Sequence, residues 1–383
     1  MRCLISCGEP SGEAYAAGIA EHIRGLAPQA ELAGLGEDRL AEAGVRLIAR
    51  YGELAVIGVG GALRALRRLW QVRAAMLDAL DRWRPDVLVC VDFKEFNLRL
   101  ARQAKRRGIP VVFFVGPQLW AWRPSRAKDY AQAVDRLALL FPFEPKYYEG
   151  TGLWAEFVGH PRVRAAQKAT PCWELFPRHG LDPARPLLLL QPGSRGNEID
   201  ALLPVMLAAW RLLRKEVPDL QAAVLAPAHR RHPRYQAAIA EGVPVVREDG
   251  MRWRKAARAS LIASGTATLE TALVGTPGAI LYKLSPLNYW LAKRLVRVPY
   301  VGMPNILLNE EVMPELLQHE ATPQAAAAAV RAWLQDPDAR AAATRKLLTL
   351  SQMLSTGRDP LQRVAEMACE LAGARGLTEQ AGG

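Results

Sequence analysis

The stretch Leu187 to Glu198, LLLLQPGSRGNE, constrains the fold more than any other part of the chain. Four consecutive leucines describe a strand buried on both faces, as in a parallel sheet covered by helices, and Pro192-Gly193 ends it at a turn. The turn opens onto Ser194, Arg195 and Gly196, and residues from Glu198 to Arg214 continue at helical spacing. Such a loop at a helix N-terminus suits an anion. Gly193 and Gly196 allow close backbone approach, Ser194 and the loop amides donate hydrogen bonds, and Arg195 offers a planar fork for phosphate. An α/β turn that binds nothing fits the same residues.

At 383 residues, half of them apolar, the chain is long enough for two packed domains. No apolar run approaches the ~18 residues of a spanning helix, and a strand pattern follows Met1-Arg2 directly, so a cytosolic protein is expected. Cys3, Cys7, Cys90, Cys172 and Cys369 are scattered without metal-ligand spacing and read as reduced core thiols. His229 and His232 fall in AHRRHPR, read as a solvated basic loop. A net charge of +12 calls for a negative partner, whether nucleic acid, anionic lipid or a phosphorylated small molecule. Arg64, Arg67, Arg68 and Arg73 interleave with Leu63, Leu66, Leu69, Trp70 and Val72 after the apolar run AVIGVGGAL. That pattern suits either a helix lying on a bilayer interface or one packing its leucines on a core.

From the start, Arg2 to Cys7 reads as a strand, Gly8 to Glu13 (GEPSGE) as a loop, and the residues through Ile19 and Ile23 as a helix. The glycines lack dinucleotide-fingerprint spacing. Glu9 and Glu13 suit hydroxyl groups, or they complement a helix N-terminus. Helix is expected over Met76–Trp83, closed by Pro85. The strand DVLVCVDF then delivers Asp92 at its carboxyl end, where open α/β sheets bind ligands. Asp92 is thus a candidate for chemistry, or a cap for the helix after Lys94-Glu95-Phe96-Asn97. Strands are expected over Ile109–Val115, Asp135–Leu140 and Ala155–Val158. Between them lie GPQLWAWRPSR, whose Trp120 and Trp122 could stack on a ring or pack in the core, and FPFEPKYYEG, the start of a short helix. Residues 161–186, rich in Pro and charge, read as the passage between domains.

The alternation resumes in the second half. Strands are expected at the leucine run, Ala222–Leu225, Val243–Arg247 and Leu261–Ala263, with helices over Tyr235–Glu241 and Trp253–Ala259. The last strand runs into Ser264-Gly265-Thr266, a second set of small residues and free amides opening a helix. Glu270, about one turn inside, could accept from a ribose diol or serve as a buried cap.

The motifs GEPSGE, PDVLVCVDFKEFN, FVGPQLWAWRPSR, FPFEP, FVGHP, LLLQPGSRGNEI, ASGTATLETAL and YWLAKRLVRVPYVGMPNIL, in this order over nearly the whole chain, resemble the lipid-A-disaccharide synthase family. The resemblance implies an α/β protein of GT-B architecture, with two Rossmann-like domains facing a cleft. The expected domains are residues 1–165, acceptor- and membrane-facing and joined by a C-terminal helix from 356 to 383, and 166–355, which binds the UDP-sugar. It implies inverting transfer of 2,3-diacylglucosamine from UDP to the 6-hydroxyl of 2,3-diacylglucosamine 1-phosphate, without metal or other cofactor. It also implies peripheral contact with the cytoplasmic face of an anionic inner membrane, no nucleic-acid partner, and a homodimer as one arrangement.

On that footing Asp92 is the expected base. Ser194, Arg195 and Gly196, with Ser264, Gly265 and Thr266, are expected on the departing diphosphate, Glu270 on the ribose, Asn305 in the cleft wall, and Glu9 and Ser11 on sugar or acceptor groups. Two residues depart from the family pattern: Lys94 stands where the family commonly has Pro, and Glu13 where it has Asp. Two other readings stay open on sequence. A UDP-sugar epimerase or soluble-acceptor transferase would keep both phosphate loops, and a non-enzymatic basic membrane- or nucleic-acid-binding protein would need neither.

Overall fold

The computed structural model describes residues 1–52, 62–120, 124–228, 230–283 and 299–381. Trp122, His229, most of the AVIGVGGAL run and the YWLAKRLVRV stretch lie outside them, as do the side chains of Leu63 and Arg64. The chain divides into two compact units, Met1–Pro161 with Leu354–Gly383, and Arg162–Met353.

In the first unit seven strands form one parallel sheet. They are β1 (Arg2–Cys7), β2 (Glu31–Gly36), β3 (Arg46–Arg50), β4 (Val87–Val91), β5 (Val111–Phe114), β6 (Arg136–Leu139) and β7 (Trp154–Phe157). Their order in space is β3-β2-β1-β4-β5-β6-β7, so the chain reverses its direction of travel between β1 and β4. Every residue of β4 and β5 is buried, because helices cover both faces and leave no side that favours polar groups. The C-terminal helix Pro360–Ala381 packs beside the first helix, Pro10–Leu26. Gly18 makes this close approach possible, since a Cβ there would sit 2.6 Å from Leu361 Cδ1. Arg363 fastens the same helix to β7 with a two-pronged pair to Glu156 at 2.9 and 3.0 Å.

The helix Ala62–Asp78 packs one face on the core and leaves another exposed. Val72 and Met76 are buried in the core, whereas Leu66 and Trp70, one turn apart, stand 53% and 59% exposed. Arg73 lies over the Trp70 ring at 5.4 Å. Among the described residues no helix is long and apolar enough to cross a membrane.

The second unit repeats the plan with β8 (Leu187–Gln191), β9 (Gln221–Leu225), β10 (Val245–Val246), β11 (Ala259–Ala263), β12 (Gly278–Tyr282) and β13 (Glu315–Leu317), all parallel in the order β10-β9-β8-β11-β12-β13. Its direction of travel reverses between β8 and β11. The leucine strand is buried throughout, and Leu202, Leu203, Met206 and Trp210 of the helix Gly196–Glu216 close over it. Residues 161–186 are no bare passage. They form the helix Pro161–Lys168 and two 3₁₀ turns, and Cys172, Leu175, Phe176 and Leu181 pack under the Trp253 side of the sheet. The helix expected over Trp253–Ala259 runs instead from Gly250 to Ala256, and Ala259 already belongs to β11.

Candidate functional site

In an open parallel sheet, the loops after the two strands flanking the reversal splay apart and leave a crevice at the strands' carboxyl ends. The first unit places Gly8-Glu9 after β1 and Asp92-Phe93 after β4 at that point, on a cavity of about 500 Å³. Glu9, Asp92, Lys94, Glu95 and Arg126 contribute its charged lining, and Pro117, Gln118 and Leu119 form another wall.

Asp92 and Phe93 both take left-handed backbone angles, φ +49° and +47°, which are costly for residues with a Cβ. The surroundings hold them there. The buried Asn97 side chain donates through Nδ2 to the Asp92 carbonyl at 2.8 Å and to the Ser6 carbonyl at 3.2 Å, while Ser6 Oγ donates to Asn97 Oδ1 at 2.6 Å. The Phe93 ring occupies the space a Cβ on Gly8 would need, 2.3 Å away. The result turns the Asp92 carboxylate, one-quarter exposed, into the cavity, with Lys94 Nζ 3.6 Å from Oδ1. Arg126 is held by Glu95 at 2.5 Å.

Two other acids and a hydroxyl behave differently. Glu13 is buried and accepts from the Glu37 and Leu40 amides at 2.8 and 3.1 Å and from Tyr51 Oη at 2.9 Å, so it serves the fold. Ser11 is exposed in the first turn of its helix and is not part of the cavity lining, whereas Glu9 is.

The second unit's reversal carries a cavity of about 460 Å³ between the loops after β8 and β11. It brings together Ser194, Arg195, Ser264, Gly265, Thr266 and Glu270. Gly193 has φ +98° and Gly265 φ +148°, angles that a glycine adopts without strain. Gly196 opens its helix outside this lining, where a Cβ would lie 3.0 Å from Arg230 Nη2. The amides of Ser194 and Arg195 are already engaged: Glu198 Oε2 accepts from both at 3.1 Å, and Glu198 Oε1 accepts from Arg195 Nη1 at 3.0 Å. A carboxylate from the chain itself therefore sits on the donors expected to meet a phosphate.

Glu270 is nearly buried, and its two oxygens face two guanidinium groups, Arg162 Nε at 3.1 Å and Arg254 Nη1 at 3.0 Å. A carboxylate has about four lone-pair positions, so this pairing still leaves acceptor capacity for a hydroxyl. Arg254 also donates through Nε to Gln191 Oε1 at 2.9 Å, and Gln191 Nε2 donates to Ser260 and Thr271 hydroxyls. Burial pulls the Arg254 guanidinium below its usual range, and Glu270 holds it up. Arg254 and Arg247 line the cavity but carried no local signal, because neither the helix that bears Arg254 nor the short strand β10, which ends just before Arg247, hints at what they face.

Asn305, expected in the cleft wall, is not among the residues lining this cavity. It is fully buried, donating to the Met313 carbonyl at 2.7 Å and Glu315 at 2.8 Å and accepting from the Val312 and Met313 amides, so its side chain braces the turn before β13 and does not reach the cavity.

Two parallel sheets in one chain, each with its crevice at the strand-order reversal, define the GT-B class of fold. The structure is similar to a glycotransferase of kitacinnamycin (TM-score 0.63, 14% identity, 97% of this chain and 98% of the other) and to MurG of Acinetobacter baumannii (0.59, 13%, 96% and 99%). The family model for lipid-A-disaccharide synthetase matches residues 3–367. Lipid-A-disaccharide synthases of Coxiella burnetii (strain Dugway 5J108-111) and Geobacter sulfurreducens are 36% and 37% identical to the chain, over 96% and 97% of its length and 98% and 97% of theirs. The chain belongs to the lipid-A-disaccharide synthetase family, and is thus a glycosyltransferase of lipid A biosynthesis, not an epimerase or a non-enzymatic basic protein.

Proposed function

We propose that the reaction is transfer of 2,3-diacylglucosamine from its UDP conjugate to the 6-hydroxyl of 2,3-diacylglucosamine 1-phosphate, with inversion, giving a β(1→6) disaccharide 1-phosphate and UDP. The observation that carries the assignment of roles is Asp92 at the first unit's reversal, held in a strained turn with its carboxylate in a cavity. Asp92 takes the proton from the acceptor hydroxyl as its oxygen bonds to the anomeric carbon. The bond from that carbon to the diphosphate breaks, and its electron pair leaves with UDP. Glu9 contacts the acceptor sugar, and Ser11 meets groups outside the cavity lining.

Ser194, Arg195, Ser264, Gly265 and Thr266 stabilise the charge that develops on the diphosphate, with Gly196 shaping the helix start. Glu198 releases the loop amides to it. Glu270, oriented by its two arginines, accepts from the ribose. Both substrates are anionic and lipid-bearing, which fits the +12 charge. The helix Ala62–Asp78 meets the anionic membrane surface through Leu66 and Trp70, with Arg67 beside them.

The test is UDP release from the two substrates by the wild type and Asp92→Asn. Acceptor-dependent release that collapses in the variant while UDP binding persists supports the reaction and the base. No release by the wild type overturns the reaction, and an active variant removes Asp92 from its role.

A further inference from the structure

Glu144, in the FPFEP motif, is a buried carboxylate that none of these steps uses. It sits just after β6 and reaches two parts of the chain. Its Oε2 accepts from the Leu140 and Phe141 amides at 3.1 and 3.0 Å, and its Oε1 accepts from Trp120 Nε1 at 3.3 Å. Phe143 meets the Trp120 ring edge-on, with centroids 5.6 Å apart.

The segment that follows β5 carries Pro117, Gln118 and Leu119 of the Asp92 cavity wall, and then Trp120. That loop leaves the sheet under strain. Val115 has φ +65°, an angle that its branched Cβ opposes. At the next residue a Cβ would stand 2.9 Å from Leu139. Such strain persists only where the surroundings hold the segment, and the Trp120 indole makes one contact that does so.

We propose that Glu144 is a positioning residue that latches the Val115–Trp120 loop through the Trp120 indole, and that its proton controls how well the cavity holds the acceptor. This rests on the reading that the Asp92 cavity takes the acceptor. Both lone-pair directions of Oε2 are filled by backbone amides, so an added proton goes to Oε1. An O–H on Oε1 takes one of that oxygen's two lone pairs and removes the carboxylate's charge, so the Trp120 N–H loses a charge-assisted bond and the latch loosens.

The latch operates near neutrality. Burial pushes the Glu144 carboxyl up to about 7, against the Phe141, Trp120 and Leu140 hydrogen bonds and the Lys94 charge, all of which pull it down. Besides Lys94 on the helix after β4, the titratable groups around it are the Tyr148 phenol, which burial and the Glu144 charge push up, and His160, whose ring packs on Phe141. As pH falls through this range Glu144 gains its proton and the wall loosens.

The experiment measures acceptor KM and kcat against pH for the wild type, Glu144→Gln and Trp120→Phe, together with the Trp120 indole ¹⁵N–¹H resonance, assigned by its absence from Trp120→Phe. For a latch titrating near 7, wild-type acceptor KM rises roughly tenfold from about pH 8 to about pH 6 with kcat little changed. In Glu144→Gln the amide NH₂ faces the indole, so KM is high and flat across that range. Trp120→Phe, which removes the donor and leaves Glu144 in place, gives the same flat profile. The indole resonance shifts with pH in the wild type and not in Glu144→Gln. Variants that keep the wild-type KM profile, or a wild-type indole signal that does not titrate, overturn the latch. A titrating signal in a wild type that releases no UDP supports the latch and overturns the functional reading.

Discussion

The two reversals use one topology in opposite ways. After β8 and β11 the sharp angles fall on Gly193 and Gly265, where they cost little, and the stabilisation lies in charge: Glu198 on the loop amides, Glu270 between two arginines. After β4 the left-handed angles fall on Asp92 and Phe93, residues that carry a Cβ, and the buried Asn97 side chain braces the turn through the Asp92 carbonyl. A site that grips an anion can be built from permissive backbone and paired charge. A site that aims one carboxylate spends strain, so its supports matter as much as the carboxylate itself.

The largest effect is expected at the aimed carboxylate. Asp92→Asn keeps the side chain's size and removes a proton acceptor, and general-base losses run to ~10²–10⁴ in rate. Steady-state kinetics beside calorimetric UDP binding checks it. A comparable loss of UDP affinity would mean that Asp92 serves the donor and that the contrast between the sites is misdrawn.

Next comes the charge pairing of the second site. Arg254→Met leaves the nearly buried Glu270 with Arg162 alone, and breaking a buried pair from one side costs about 3–5 kcal/mol. Urea unfolding should show a loss of that order, and Arg254→Met with Glu270→Leu should recover part of it. A single variant within ~0.5 kcal/mol of the wild type would show that the pair contributes little.

These contrasts also explain what could be read from sequence. Runs such as LLLLQ and DVLVCV were legible because burial on both faces demands unbroken apolar residues. β2, with the sequence ELAGLG, was hidden by small residues. β3 is an edge strand with Arg at both ends, and β13 has three residues. The position of Asp92 was legible because the residue that follows a buried strand has a known place in the fold. Asn97, Glu144 and Arg254 were not, since each acts on a partner brought near by folding alone: Ser6 is 91 residues from Asn97, and Gln191 is 63 from Arg254.

The support beneath Asp92 should show a smaller, separable effect. Asn97→Ala removes the donor to the Asp92 carbonyl, and losing such a bond costs about 1–3 kcal/mol. The expectation is a fall of roughly tenfold in kcat with UDP affinity unchanged. An equal fall in kcat and UDP affinity would point to general unfolding in place of a lost aim.

The smallest effect belongs to neither reversal. Leu66 and Trp70 are exposed on the helix Ala62–Asp78, whose Val72 and Met76 already supply its packing, so polar substitution should leave the fold within ~0.5 kcal/mol of the wild type. Burying two such side chains in an acyl boundary gains about 1.5–3 kcal/mol each at most, and partial insertion recovers a fraction of that. Leu66→Ser with Trp70→Ser should therefore lower sedimentation with vesicles containing acidic lipid by roughly tenfold, with UDP affinity intact. Added salt should weaken the remaining, charge-driven binding. Unchanged sedimentation would overturn a membrane role for this helix and leave the contrast between the two reversals untouched.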